Sequence, residues 1–195
     1  LVLPLLLISC NRSGVDKDKP SPDQFSFVFM TDIHLEYGRS APQGFMQAID
    51  TINKLNPDFV LTGGDLVADA LETPYERVDS FYDLYTEMTK KLNMPVYNTI
   101  GNHEHFGIYR RTDIDPGHPD YDNRMFENRI GKRYYSFDHK GWHFMVLDAV
   151  SITPEREYIG MIEDDQIEWI KSDLQKIDKK TPIAISVHIP FITSQ

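Results

Sequence analysis

Apolar residues fall along this chain in short blocks, and several blocks stop abruptly at a polar cluster. Residues 25–30 form a compact run of strand formers that ends in Thr31-Asp32-Ile33-His34. Phe45, Met46, Ile49, Ile52 and Leu55 then recur near helical spacing, predicting a helix over 43–55 that Asn56-Pro57 breaks. Phe59-Val60-Leu61 predicts a second buried strand, ending in Thr62-Gly63-Gly64-Asp65. A second helix is expected with Thr73 as N-cap, Pro74 at its first position and Glu76 completing a capping box. It runs to about Leu92, with Val78, Phe81, Tyr82, Tyr85, Met88 and Leu92 on the packed face. Residues 95–100 predict a third strand, which ends in Gly101-Asn102-His103-Glu104.

The pattern then loosens. Residues 105–130 are polar, aromatic and rich in turn formers, and predict a long loop or small insertion. Residues 134–137 and 142–147 flank Asp138-His139-Lys140-Gly141 as a hairpin. A helix over 164–177 places Ile167, Ile170, Leu174 and Ile177 on one face. Residues 182–187 predict the last strand, ending in His188-Ile189-Pro190. This order implies one layered α/β domain over 25–195, sheets inside and helices outside.

With 195 residues, 41% hydrophobic and 26% charged, the chain suits a single globular core. Its formal net charge of −10 argues against sequence-independent binding to a nucleic acid duplex. It leaves phosphorylated substrates open, because bound cations reverse a local field. Residues 1–8 are almost wholly apolar, too short to span a bilayer, and suit the hydrophobic region of a signal peptide. The run Leu7-Ile8-Ser9-Cys10 resembles the lipobox of bacterial lipoproteins, in which the cysteine carries the lipid. Cys10 is the sole cysteine, so no internal disulfide is available. The reading is a signal peptide over 1–10, a polar tether over 11–24, and an exported protein lipid-anchored in the bacterial envelope. The chain reads as clipped at both ends.

Four strand ends carry candidate metal ligands: Asp32 with His34, Asp65, Asn102 with His103, and His188. Ligands of open α/β sheets gather beyond the carboxyl ends of strands. Asp32 and His34 point to the same face if strand geometry persists. Each cluster alone is ordinary; the ordered set is not. Asp32-Ile33-His34, Gly64-Asp65, Gly101-Asn102-His103-Glu104 and His188 resemble the signature of the calcineurin-like metallophosphoesterases. That resemblance implies an αββα sandwich, incomplete here at its C-terminus because the family's closing Gly-His-x-His is missing. It implies two metal ions (Mn, Fe or Zn), with Asp32 and His34 on one, Asn102 and His188 on the other, and Asp65 bridging.

The activity implied is hydrolysis of phosphate esters by a metal-activated hydroxide, on a phosphorylated small molecule or lipid. By the same resemblance His103 contacts the phosphate or protonates the leaving alkoxide, with Glu104 fixing its ring. A phosphodiesterase or broad phosphoesterase is favoured; a nucleotidase or other phosphomonoesterase, or a protein phosphatase, remains open. The purple acid phosphatase branch fits less well, since it places a tyrosine ligand where Ala68 stands. A different class, a lipid-anchored binding protein with a degenerate metal site, is the rival reading. His105, His118 and His139 are expected in solvent, and His143 on the less buried side of its strand. Arg110, Arg111 and Arg124 are candidate phosphate contacts against a default of solvated surface.

Overall fold

The computed structural model describes residues 24–38 and 40–191. Cys10 and tether residues 11–23 lie outside the described residues.

Three parallel strands make the first sheet: β1 (Phe27–Met30), β2 (Phe59–Thr62) and β3 (Val96–Tyr97), in that spatial order. Helices α1 (Ala41–Leu55) and α2 (Tyr75–Thr89) are the crossovers. The alternation of β2 explains how the layers form. Val60 faces the helices, where it joins Phe45, Ile49 and Ile52 of α1 and Val78, Phe81, Tyr82, Tyr85 and Met88 of α2. Phe59 and Leu61 face the other way, into the space between two sheets.

The second sheet is mixed: β4 (Tyr135–His139) pairs antiparallel with β5 (Trp142–Val146), which pairs parallel with β8 (Ile183–Ser186). Aromatic rings fill the seam between the sheets. Tyr97 of β3 stacks on Phe137 of β4 at 3.5 Å between ring centroids, and Phe59 meets Phe144 of β5 edge-on at 5.2 Å. Offset and edge-on ring pairs of this kind add to the gain from area burial alone. The result is the expected two-sheet α/β sandwich.

Several boundaries and faces depart from expectation. The N-cap of α2 is Pro74, not Thr73. Residues 105–130 are not a bare loop: α3 (Arg124–Arg129) lies within them, and Phe106, Met125 and Phe126 are fully buried. A hairpin of β6 (Val150–Ile152) and β7 (Tyr158–Gly160) was unforeseen. Helix α4 (Asp164–Leu174) buries Gln166 and Asp173, while Leu174 is exposed. Its seam with the sheet is polar: Gln166 brackets the backbone of Asp148, and Asp173 meets the ring of His143 at 3.0 Å. His143 is therefore buried, held also by Asp138 at 2.7 Å. Among the described residues no helix is long and apolar enough to cross a membrane.

Candidate metal centre

The carboxyl ends of β1, β2 and β8 are drawn together by backbone and hydroxyl groups. Past the last paired residues, Gly63 N–H donates to Met30 O, Asp32 N–H to Gly64 O and His34 N–H to Asp65 O. Across the sheets, the Thr99 hydroxyl and the Ser186 hydroxyl both donate to Thr62 O, at 2.5 and 3.0 Å. These bonds fix where each following loop begins.

The loops leave strand geometry at once. Asp32, His34 and Asp65 have φ of 54°, 46° and 53°. The left-handed conformation costs roughly 1–2 kcal/mol for a residue with a Cβ, and clusters of such residues mark functional sites. Asp32 and His34 thus converge through left-handed turns rather than by strand alternation, which corrects the reason given above. Gly64, at φ 95°, could not carry a Cβ: the atom would stand 2.8 Å from both Gly101 Cα and His188 Nδ1. A Cβ on Gly101 would collide with the Asp65 carboxylate. The two glycines let the second and third strand ends touch.

Around Asp65 the imidazoles close in. His188 Nε2 lies 3.3 Å from Asp65 Oδ1; His34 Nε2 and His103 Nε2 lie 3.7 and 3.9 Å from Oδ2. Asn102 Oδ1 is 3.1 Å from His188 Nε2. Each ring turns its other nitrogen to a backbone carbonyl: His188 Nδ1 to Gly63 O at 2.8 Å, His103 Nδ1 to Ala68 O, and His34 Nδ1 to Ala68 O by a longer 3.4 Å contact. That arrangement fixes the tautomer and aims Nε2 inward, as in histidines that ligate metals. Two groups of three ligand atoms fall within 4.8 Å of one another, His34–Asp65–His103 and Asp32–Asp65–His188, and they share Asp65. Asp32 falls in the group with Asp65 and His188, and its Oδ1 is also 3.8 Å from His34 Nε2.

Burial would raise the Asp65 carboxyl, but the His188 hydrogen bond and the His103 N–H outweigh it and hold it below the usual carboxylate range. The same contact with Asp65 pushes His188 up to about 9, against the effect of burial. A carboxylate surrounded by imidazoles, with no Lys or Arg among the described residues paired to it, is a donor set for a divalent cation. The residues present fit a pair of such ions sharing Asp65.

All the expected ligand positions come together: Asp32, His34, Asp65, Asn102 and His188, with His103 beside them. Glu104 does not behave as expected. It is fully buried and accepts backbone N–H groups from Asp65, Leu66, Val67 and Gly101, at 3.0, 2.7, 3.1 and 2.6 Å. It makes no contact with the His103 ring, whose Nδ1 is taken by Ala68 O. Burial and the Asp65 charge push the Glu104 carboxyl up to about 7, against those N–H donors.

Other expectations fail for identifiable reasons. His105 is not solvated: it is fully buried, with Nδ1 2.5 Å from Asp122 and Nε2 4.0 Å from Asp148. His139 is half-buried against Asp58 at 3.1 Å, and His118 packs on Tyr75 and Phe106. The three candidate phosphate-binding arginines are engaged within the fold. Arg110 donates to Pro154 O and Glu155 O, Arg111 pairs with Glu72, and Arg124 donates to Pro116 O and Tyr121 O.

Residues 25–194 match the family model described as Calcineurin-like phosphoesterase. Among curated proteins the chain is similar to Purple acid phosphatase 22 of Arabidopsis thaliana, 30% identical over 93% of this chain and 40% of that protein. It is also similar to a probable cyclic nucleotide phosphodiesterase of Moraxella catarrhalis, 24% identical over 87% of this chain and 59% of that protein. The chain therefore spans about two fifths to three fifths of these relatives. In fold it is similar to a dimetal phosphatase from Danio rerio, with TM-score 0.59 and 16% identity over 85% of this chain and 70% of that one.

Proposed function

The chain belongs to the calcineurin-like phosphoesterase family, and on that premise we propose that it hydrolyses phosphate esters at a pair of metal ions. The observation that carries the proposal is the convergence of three inward-facing imidazole nitrogens on the carboxylate of Asp65. Asp32 and His34 would hold one cation and Asn102 and His188 the other, with Asp65 shared between them. Bound there, two divalent ions supply a water-derived nucleophile at neutral pH and neutralise the phosphoryl charge.

The protein's own groups do the rest. Backbone carbonyls of Gly63 and Ala68 keep the three rings in one tautomer, so no reorientation is needed during the reaction. His103 would act as its imidazolium, keeping Nδ1–H on Ala68 O and giving the Nε2 proton to the leaving oxygen as the ester P–O bond breaks. Asn102 contributes a neutral oxygen, which limits the negative charge that a phosphate must approach.

A phosphodiester substrate is favoured by the relative named a probable cyclic nucleotide phosphodiesterase. Phosphomonoester hydrolysis is the second reading, favoured by the relative named a purple acid phosphatase. Turnover of bis(p-nitrophenyl) phosphate against p-nitrophenyl phosphate, by the full-length protein with Mn²⁺, separates the two. We extend the proposal to export and lipid anchoring at Cys10, supported by the Leu7-Ile8-Ser9-Cys10 sequence. Mass spectrometry of the mature N-terminus tests it; an unmodified Cys10 rejects it.

A further inference from the structure

We propose that Glu104 is a positioning residue, an internal anion that sets the geometry of the bridging carboxylate. The inference rests on the metal-site reading above and assigns Glu104 no contact with metal or substrate.

The left-handed turn at Gly64 and Asp65 points three successive N–H groups, of Asp65, Leu66 and Val67, into one concavity. Such nests attract anions. Here the chain fills its own nest with the Glu104 carboxylate, and each oxygen takes two donors: Oε1 from Leu66 and Val67, Oε2 from Asp65 and Gly101. Four charge-assisted bonds satisfy the carboxylate fully without water. Two strand-end turns, at Asp65 and at Gly101, are thereby clamped on one side chain. The clamp is closed from the other side as well, because His103 N–H donates to Asp65 Oδ1 at 3.1 Å. Tyr82, buried in the helix seam, donates its hydroxyl to Glu104 O at 3.1 Å and ties the turn to the core.

This cross-bracing explains how Asp65 keeps an unfavourable backbone conformation while its two oxygens stay 3.3 and 3.7 Å from His188 and His34. Glu104→Gln keeps the shape but replaces one acceptor by an NH₂ group, so two of the four N–H groups lose their partner. The Asp65 turn is then free to relax.

The test uses the full-length protein. In the cation-free state, amide exchange at Asp65, Leu66, Val67 and Gly101 should be slow in the parent and at least about tenfold faster in Glu104→Gln. Amides of β4 and β5 should not change. Mn²⁺ titration should show affinity weakened about 10–100-fold, the range expected when a ligand's supporting partner is lost. Gln166→Ala, which removes a buried polar brace remote from the site, should lower the melting temperature and keep the parent's Mn²⁺ affinity. If Glu104→Gln does not fold, Glu104→Asp, one methylene shorter, should lose protection at one of the two turns and bind Mn²⁺ less tightly. Variants that keep the parent's affinity and exchange pattern overturn the positioning role alone. A parent that takes up no Mn²⁺ overturns both this role and the metal-site reading.

Discussion

The histidine–carboxylate clusters around Asp148 and around Asp65 solve the problem of negative charge in different ways. Around Asp148 the positive charge is built in. Arg133 donates to Asp148 at 3.1 Å and to Glu163 at 3.2 Å, and His105 sits buried between Asp122 and Asp148. Burial alone would pull His105 down, yet the two carboxylates leave it raised above its ordinary value. Around Asp65 no arginine or lysine among the described residues closes the balance; three imidazoles aim Nε2 at a half-open space. A buried carboxylate needs a partner. The first cluster carries its own and is a brace; the second, on the proposed function, takes cations from solution.

The largest effect should come from Asp65→Ala, which removes the shared ligand. Both ions are lost and turnover falls about a thousandfold or more, while the circular dichroism spectrum stays that of the parent. His103→Ala should lower turnover about 10²–10⁴-fold with the metal content unchanged. A fall in metal content instead would make His103 a ligand and redraw the boundary of the site.

Asp148→Ala attacks the other cluster. It takes one carboxylate from Arg133, which keeps Glu163, and from His105, which keeps Asp122, and should cost about 1–3 kcal/mol in chemical denaturation. Metal stoichiometry should not move; if it does, the two clusters are not separate.

The fourth prediction concerns pH. Without cations, His188 is raised to about 9, above its ordinary 6.5, by Asp65. The stability that the raised His188 contributes is fully present below about 6.5, as long as Asp65 stays ionised, and is lost as pH rises through about 9. Cation binding requires neutral His188, so uptake below pH 9 releases a proton, and affinity should fall about tenfold per unit of acidification. Calorimetric titration in buffers of different ionisation enthalpy reads the proton directly; none released would remove His188 from the ligand set. The smallest effect is expected from Arg124→Ala. Its guanidinium serves backbone carbonyls of the insertion, so turnover should stay within about twofold and stability should drop by about 1 kcal/mol.

The comparison also marks what a sequence makes readable. Strand ends that stop at Asp32, Asp65, Asn102 and His188 were legible because each polar cluster interrupts an apolar run. The α2 face was legible because Val78, Phe81, Tyr82, Tyr85 and Met88 bury at helical spacing. Polar burial left no such trace. His105, His143, Gln166 and Asp173 are buried through partners as many as 43 residues away, and no local period encodes those pairings. Glu104 was misread for a related reason: its neighbour in sequence is His103, but its partners in space are backbone groups, which carry no residue signature. The left-handed turns at Asp32, His34 and Asp65 were invisible too, although Gly63-Gly64 hinted at one of them.

The most direct test is a count of bound metal. Full-length protein and its Asp65→Ala variant are saturated with Mn²⁺, desalted and analysed for metal per chain. The account predicts two equivalents in the parent and none retained by the variant. A parent that holds no metal, or a variant that still holds two, would contradict it.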